Sequence, residues 1–179
     1  VQWAVPTTEA FHCRACATSC KEWNMQGFSG PLTDTNAYGS DPSGVWFNRV
    51  HGYEVKEPEQ VQSRIVNFPR SCLHCEEPAC VTVCPTGASY KRAEDGIVLV
   101  DKHICIGCRY CVMACPYKAR SFVHEPTTGQ KTDTPRGKGC VESCNLCVHR
   151  VDKGGTPACV EACADAGHRA IVFGDLNDP

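Results

Sequence analysis

Apolar residues along this chain come in short bursts, not in long helical stripes. VWFNRVHGYEV (45–55) and QSRIVNFP (62–69) are rich in β-branched and aromatic residues and predict two short strands. ASYKRAEDGIVLVD (88–101) predicts a hairpin, with Asp95-Gly96 at its turn and IVLV as its second strand. SFVH (121–124) and AIVF (170–173) predict two more strands. Between the bursts, 24–44 and 125–139 are crowded with Gly, Pro, Ser, Asp, Asn and Thr, and predict surface loops. Loops of this length can serve as docking surfaces, here around 32–43 and 125–138, or be idle. Helices should be short, and no run of 18 apolar residues is present to cross a membrane.

Composition adds a reason for the sparse pattern. The chain has 179 residues, enough for one domain or two small ones, and its 42% hydrophobic content counts 16 cysteines. With 12 Pro and 15 Gly besides, the core is thin, and something bound to the cysteines should supply much of the cohesion. A formal net charge of −2 gives no footprint for nucleic acid. Cysteine on this scale has three ordinary meanings: disulfides, zinc, or iron–sulfur clusters.

Spacing separates them. The cysteines form four groups: Cys13, Cys16, Cys20; Cys72, Cys75, Cys80, Cys84; Cys105, Cys108, Cys111, Cys115; and Cys140, Cys144, Cys147 with Cys159 and Cys163. Four similar groups are an internal repeat. CIGCRYCVMACP is C-x2-C-x2-C-x3-C-P, the bacterial ferredoxin run, whose fourth cysteine binds the other cluster of a pair. The short gaps curl the backbone so that three thiolates face one cubane, and the next helical turn aims Cys115 elsewhere. CLHCEEPACVTVCP repeats the logic with two residues inserted. Exchange between these groups gives one site of Cys72, Cys75, Cys80 and Cys115, and another of Cys105, Cys108, Cys111 and Cys84. By the same rule Cys144, Cys147 and Cys159 take Cys20, and Cys13 and Cys16 take Cys163.

The last set is short of a ligand, because the position that should begin the first group is Ala10. Three readings follow: a [3Fe–4S] cluster on three cysteines, Cys140 as a replacement fourth ligand, or a group such as His12. His12 ranks lowest, since neighbours rarely aim at different corners of one cluster. Cys140 is otherwise a partly buried free thiol. His74, His103, His124, His149 and His168 are expected to be hydrogen-bond donors rather than ligands. No Ser/His/Asp set, paired carboxylates or phosphate loop appears, and GKG at 137–139 lacks a Walker context. The chemistry is that of a carrier, not a catalyst.

SCLHCEEPACVTVCPTGASY, EDGIVLVDKHICIGCRYCVMACPYKAR and CNLCVHRVDKGGTPACVEAC followed by FGDLNDP resemble the four-cluster, ferredoxin-like iron–sulfur (β) subunits of respiratory membrane oxidoreductases. These accompany molybdopterin enzymes of the dimethyl-sulfoxide-reductase type, among them polysulfide, thiosulfate and tetrathionate reductases and sulfite-oxidising enzymes. SCKEWN with SGPLTDTNAYGSDPSGVWFNRV looks like the sulfite-oxidising type. The region from PRGKGCVESCNLCVHR onward looks like the ferredoxin subunit of the sulfate-reduction (Dsr-type) membrane complex, which has no molybdopterin partner. Departures from the family are Ala10 for Cys, Ala164 for the Pro after Cys163, and a short N-terminal strand.

The resemblance implies an α+β fold of two pseudo-symmetric two-cluster ferredoxin modules, with short helices, short antiparallel hairpins and long loops. The outer module would be 1–23 with 140–179 and the inner 70–124, with 24–69 and 125–139 as insertions. Three [4Fe–4S] clusters and one more, either [3Fe–4S] or unusually ligated, would pass electrons between a catalytic subunit and a membrane quinone-reactive or cytochrome subunit. A free soluble polyferredoxin is the milder alternative. The expected place is peripheral to a prokaryotic inner membrane, on the cytoplasmic face, or periplasmic if a leader preceded Val1. Arg14, Arg109, Lys118, Arg120 and Arg150 are candidates for raising cluster potentials, though any single one is expected to be a surface cation. Trp3, Trp46 and Tyr110 are expected to pack.

Overall fold

The computed structural model describes residues 2–4, 13–25, 46–56, 63–124, 126–127 and 129–175. Its elements are β1 (Gln2–Ala4), α1 (Ala15–Asn24), β2 (Arg49–Val55), β3 (Arg64–Arg70), α2 (Ala79–Thr82), β4 (Ser89–Lys91) and β5 (Val98–Val100). They continue with α3 (Tyr110–Ala114), β6 (Arg120–Phe122), β7 (Val141–Ser143), α4 (Val148–Val151), α5 (Ala158–Asp165) and β8 (Val172–Gly174). The longest described helix, α1, has 10 residues. Helices plus short antiparallel pairs make a small α+β fold.

The strands pair as four two-stranded sheets: β1 with β8, β2 with β3, β4 with β5, and β6 with β7. The β4–β5 hairpin closes as its sequence predicts. Gly96 takes φ +75°, the Ile97 amide donates to Asp95 Oδ1 at 3.0 Å, and the Arg92 amide donates to the Ile97 carbonyl at 2.9 Å. β2 starts at Arg49, later than the apolar run from 45 suggests. The SFVH and AIVF strands shift by a residue or two, to Arg120–Phe122 and Val172–Gly174. β7 has no apolar burst of its own, and the sequence pattern does not predict it. It forms because Phe122 and Val141 lie in register, with Val141 buried, and it ties the third cysteine group to the fourth. The expected loop at 32–43 lies outside the described residues.

The core is made around cysteine. One apolar cluster gathers Cys20, Cys72 and Cys144 with Met25, Phe47 and Val123. A second holds Cys16 and Cys163 with Val50, Ala170 and Ile171. A third holds Cys80 and Cys111 with Val98 and Val141. Helix α1 packs on α5, and α2 packs on α3, so each helix contact joins two different cysteine groups.

Candidate metal centres

The turns that present the cysteines share one backbone device. In the first C-x2-C of groups two, three and four the residue two after the first cysteine has positive φ: His74 at 46°, Gly107 at 67° and Leu146 at 49°. That left-handed step reverses the chain so that both thiols face inward. Only the third group uses glycine; the others hold a strained side chain, at a cost of about 1–3 kcal/mol each. Gly107 has a further reason, since a Cβ there would stand 2.1 Å from the Gly139 carbonyl oxygen. A second device follows the final cysteine of three groups. Amides of Ser89, Ala119 and Ala170 donate back to Cys84 Sγ at 3.3 Å, Cys115 Sγ at 3.5 Å and Cys163 Sγ at 3.2 Å.

These turns bring the cysteines together in four sets. Cys84, Cys105, Cys108 and Cys111 line one space, here called site 1. Cys72, Cys80 and Cys115 lie near enough to interact electrostatically, with Cys75 completing the same turn; this is site 2. Cys20, Cys144, Cys147 and Cys159 line a second space, site 3. Cys13, Cys16 and Cys163 line a third space, site 4.

The sets also form a row. Cys80 of site 2 shares an apolar cluster with Cys111 of site 1. Cys72 of site 2 packs with Cys144 and Cys20 of site 3. Cys159 of site 3 packs against the cluster that holds Cys16 and Cys163 of site 4.

Cys140 is not brought to site 4. Its Sγ lies 3.4 Å from the Lys102 carbonyl oxygen and 3.8 Å from that of Cys105, beside site 1 at the other end of the row. The reason is β7, which fixes Cys140 one residue before the strand that pairs with β6. The expectation that Cys140 could swing to Cys13, Cys16 and Cys163 does not match this position. Ala10 and His12 lie outside the described residues.

The electrostatics define what the sets can hold. All sixteen cysteines are unbridged. Burial, then repulsion from Cys163, pushes the Cys16 thiol up to about 11. Burial pushes Cys72 to about 11, and burial with Cys147 nearby pushes Cys159 to about 12. Cys20 and Cys144 are raised as well, first by burial and then by facing cysteines. Thiolates so placed need a cation among them. Among the described residues no group of three or more Cys, His, Asp or Glu closes on a single ion. The cysteines instead surround spaces, which suits a polynuclear cluster better than zinc.

Polar side chains complete the fit. Arg120, expected at the surface, is only 4% exposed. Its Nη2 donates to Cys80 Sγ at 3.1 Å, and it also bonds Cys111, so one guanidinium spans sites 1 and 2. Its Nε and Nη1 are buried without a protein acceptor. Asn24 Nδ2 donates to Cys147 Sγ at 3.2 Å in site 3, and Asn48 bonds Cys16 in site 4. His74 accepts the Val98 amide on Nδ1 at 2.9 Å, which places its proton on Nε2, a buried atom with no protein partner. Burial, then the Arg120 charge, lowers its pKa to about 3 and keeps it neutral. Donors left over beside thiolates are what the inorganic sulfides of a cluster would accept. Sequence reasoning does not single out Asn24 or Asn48; each is a polar residue next to an apolar burst, a weak signal. Arg14, Arg109 and Lys118 are exposed, as is Tyr110, which the sequence suggests should pack.

Comparison with known proteins agrees with this geometry. Two family models, each described as a 4Fe-4S dicluster domain, match residues 63–175 and 10–88. The chain therefore belongs to the 4Fe–4S dicluster family. Among curated relatives it is 47% identical over 173 residues to the B subunit of sulfite dehydrogenase from Allochromatium vinosum, covering 93% of this chain and 65% of that protein. It is 47% identical over 176 residues to the first iron-sulfur subunit of the Hdr-like menaquinol oxidoreductase of Archaeoglobus fulgidus, covering 92% and 61%. The B subunit of tetrathionate reductase from Salmonella typhimurium is 38% identical over 167 residues, covering 93% and 54%. The chain thus spans between about half and two-thirds of the length of these relatives. In kind it is an iron–sulfur protein of the dicluster type.

Proposed function

We propose that this chain holds four iron–sulfur clusters in a row and carries electrons between a catalytic subunit and a membrane quinone- or cytochrome-reactive subunit. The observation that carries the reading is the linear order of the four cysteine sets, each touching the next. When bound, each cluster supplies one-electron redox chemistry. The protein's part is to hold the thiolates, to donate hydrogen bonds to sulfur, and to keep water out of sites 2 and 3. Residues 70–124 form the inner module and 1–23 with 140–179 the outer, in line with the α2–α3 and α1–α5 contacts.

Site 1 is the end that faces a partner. Cys108 is exposed, and around it Ile104, Ile106, Tyr110 and Met113 are exposed too, Met113 by 75%. Apolar surface concentrated at a redox centre suits a subunit contact. The names of the sulfite dehydrogenase and tetrathionate reductase relatives favour a sulfur-compound oxidoreductase, to which the family resemblance adds a molybdopterin subunit. The Archaeoglobus relative, equally identical, favours a second reading, a menaquinol-linked oxidoreductase, for which the resemblance implies a membrane complex without molybdopterin. In either case the chain is peripheral to a prokaryotic membrane, and no described helix is long and apolar enough to cross one.

Anaerobic purification with co-purifying subunits tests the proposal. About fifteen or sixteen irons per chain, matching acid-labile sulfide, and a large redox-active partner are expected. Fewer than about ten irons in fresh protein would sink the four-cluster reading. A molybdenum-free complex containing a quinol-reactive membrane subunit would select the second reading.

A further inference from the structure

Among the described residues, site 4 has three cysteines and, lining the same space, one histidine. Of the nine described residues that border it, five are Ala15, Val50, Pro69, Ala170 and Ile171, which have no ligand chemistry. The other four are Cys13, Cys16, Cys163 and His168. The residue at position 10 offers only a methyl group, and Cys140 sits at the far end of the row beside Cys105.

The backbone explains how His168 arrives there. In groups two and three a proline follows the final cysteine, and the chain returns to that sulfur within four or five residues: Ser89 to Cys84, Ala119 to Cys115. After Cys163 the proline is replaced by Ala164, so α5 runs on to Asp165. The return comes later, with the Ala170 amide reaching Cys163 Sγ at 3.2 Å. Two positive-φ residues, Gly167 at 80° and Arg169 at 46°, make the longer turn. The His168 amide donates to the Cys163 carbonyl at 3.1 Å, which pins residue 168 over the end of the helix that carries Cys163. The turn after Cys163, longer because Ala164 stands where groups two and three have proline, therefore brings an imidazole to the cavity.

We propose that His168 is the fourth iron ligand of site 4, completing a Cys3His [4Fe–4S] cluster. This rests on the reading that Cys13, Cys16 and Cys163 bind a cluster. A neutral imidazole offers one nitrogen to iron and keeps its proton on the other. Replacing thiolate by imidazole removes one negative charge from the ligand set and raises the potential of the centre, as histidine does in Rieske clusters.

The test uses the anaerobically purified complex with His168→Ala, His168→Cys and Cys140→Ala. Expected for the parent protein are about sixteen irons, no [3Fe–4S] signal on oxidation, and a directly coordinated ¹⁴N coupling in pulsed EPR. His168→Ala should lose that coupling and about one iron, and should gain a [3Fe–4S] signal while the other three clusters stay unchanged. His168→Cys should restore the iron without the nitrogen coupling and lower the potential of that centre. Cys140→Ala should leave all of these unchanged. A [3Fe–4S] signal in the parent protein, or a nitrogen coupling that survives His168→Ala, overturns the proposal. About twelve irons, with nothing at site 4, overturns the reading on which it rests as well.

Discussion

Replacing Arg120 by glutamine should lower the potentials of the clusters at sites 1 and 2 and leave those at sites 3 and 4 alone. The guanidinium is buried, lies 3.1 Å from Cys80 Sγ, and also bonds Cys111, so it contacts both sites at once. An electron added to a cubane spreads over its irons and sulfides, roughly 6 Å from the guanidinium centre. At an effective dielectric of about 20, a unit charge at that distance is worth about 3 kcal/mol, or about 120 mV for one electron. Glutamine keeps an N–H donor but not the charge, whereas Arg120→Lys keeps the charge and should hold both potentials near their original values. The assay is an EPR-monitored redox titration of the anaerobic complex, with iron content as the check on folding. A fall smaller than about 30 mV at both inner clusters, or an equal fall at all four, would refute the reasoning, because a local buried charge cannot act in either way.

Other substitutions probe the frame. Gly107→Ala places a methyl on the Gly139 carbonyl in a left-handed turn, and should cost site 1 about four irons by metal analysis, with the other sites retained. Glu142 has a fully buried side chain held by Lys102 at 3.0 Å and Arg136 at 3.1 Å. Glu142→Ala leaves Arg136 buried without its partner and should destabilise the folded protein by about 3–5 kcal/mol in denaturant melts. Stripping iron with a chelator under oxidising conditions should abolish the cooperative thermal transition seen by circular dichroism, since all three apolar clusters contain cysteine.

Much of this arrangement can be read from spacing. C-x2-C turns and the shared exchange rule predict which cysteines meet, because three closely spaced thiols must face one side and the next helical turn the other. The Asp95-Gly96 hairpin is legible because its turn chemistry is local. What spacing cannot give is position relative to distant chain. Cys140 looks unassigned in sequence, yet its place is fixed by the pairing of β6 with β7, a contact between strands of three residues each. Arg120 lies in a run, YKAR, where Lys118 is exposed and Ala119 half-buried. Only the fold around Cys80 and Cys111 reveals that its charge faces inward. His168 looks like one histidine among seven until the turn after Cys163 places it in the cavity.

The row of sites is not electrically uniform, and this bears on where an electron rests. Arg120 puts a full positive charge between sites 1 and 2, favouring their reduced forms. Site 3 receives a neutral donor in the same role, Asn24 to Cys147 at 3.2 Å, and no guanidinium bonded to its sulfurs among the described residues. Site 3 should therefore have the lowest potential of the row. Site 4, with imidazole in place of one thiolate, should rise again. An electron crossing the chain would then climb over site 3, so the rate through the row depends on how low that centre lies. A donor stronger than Asn24 at that position should speed transfer, and a carboxylate there should stop it.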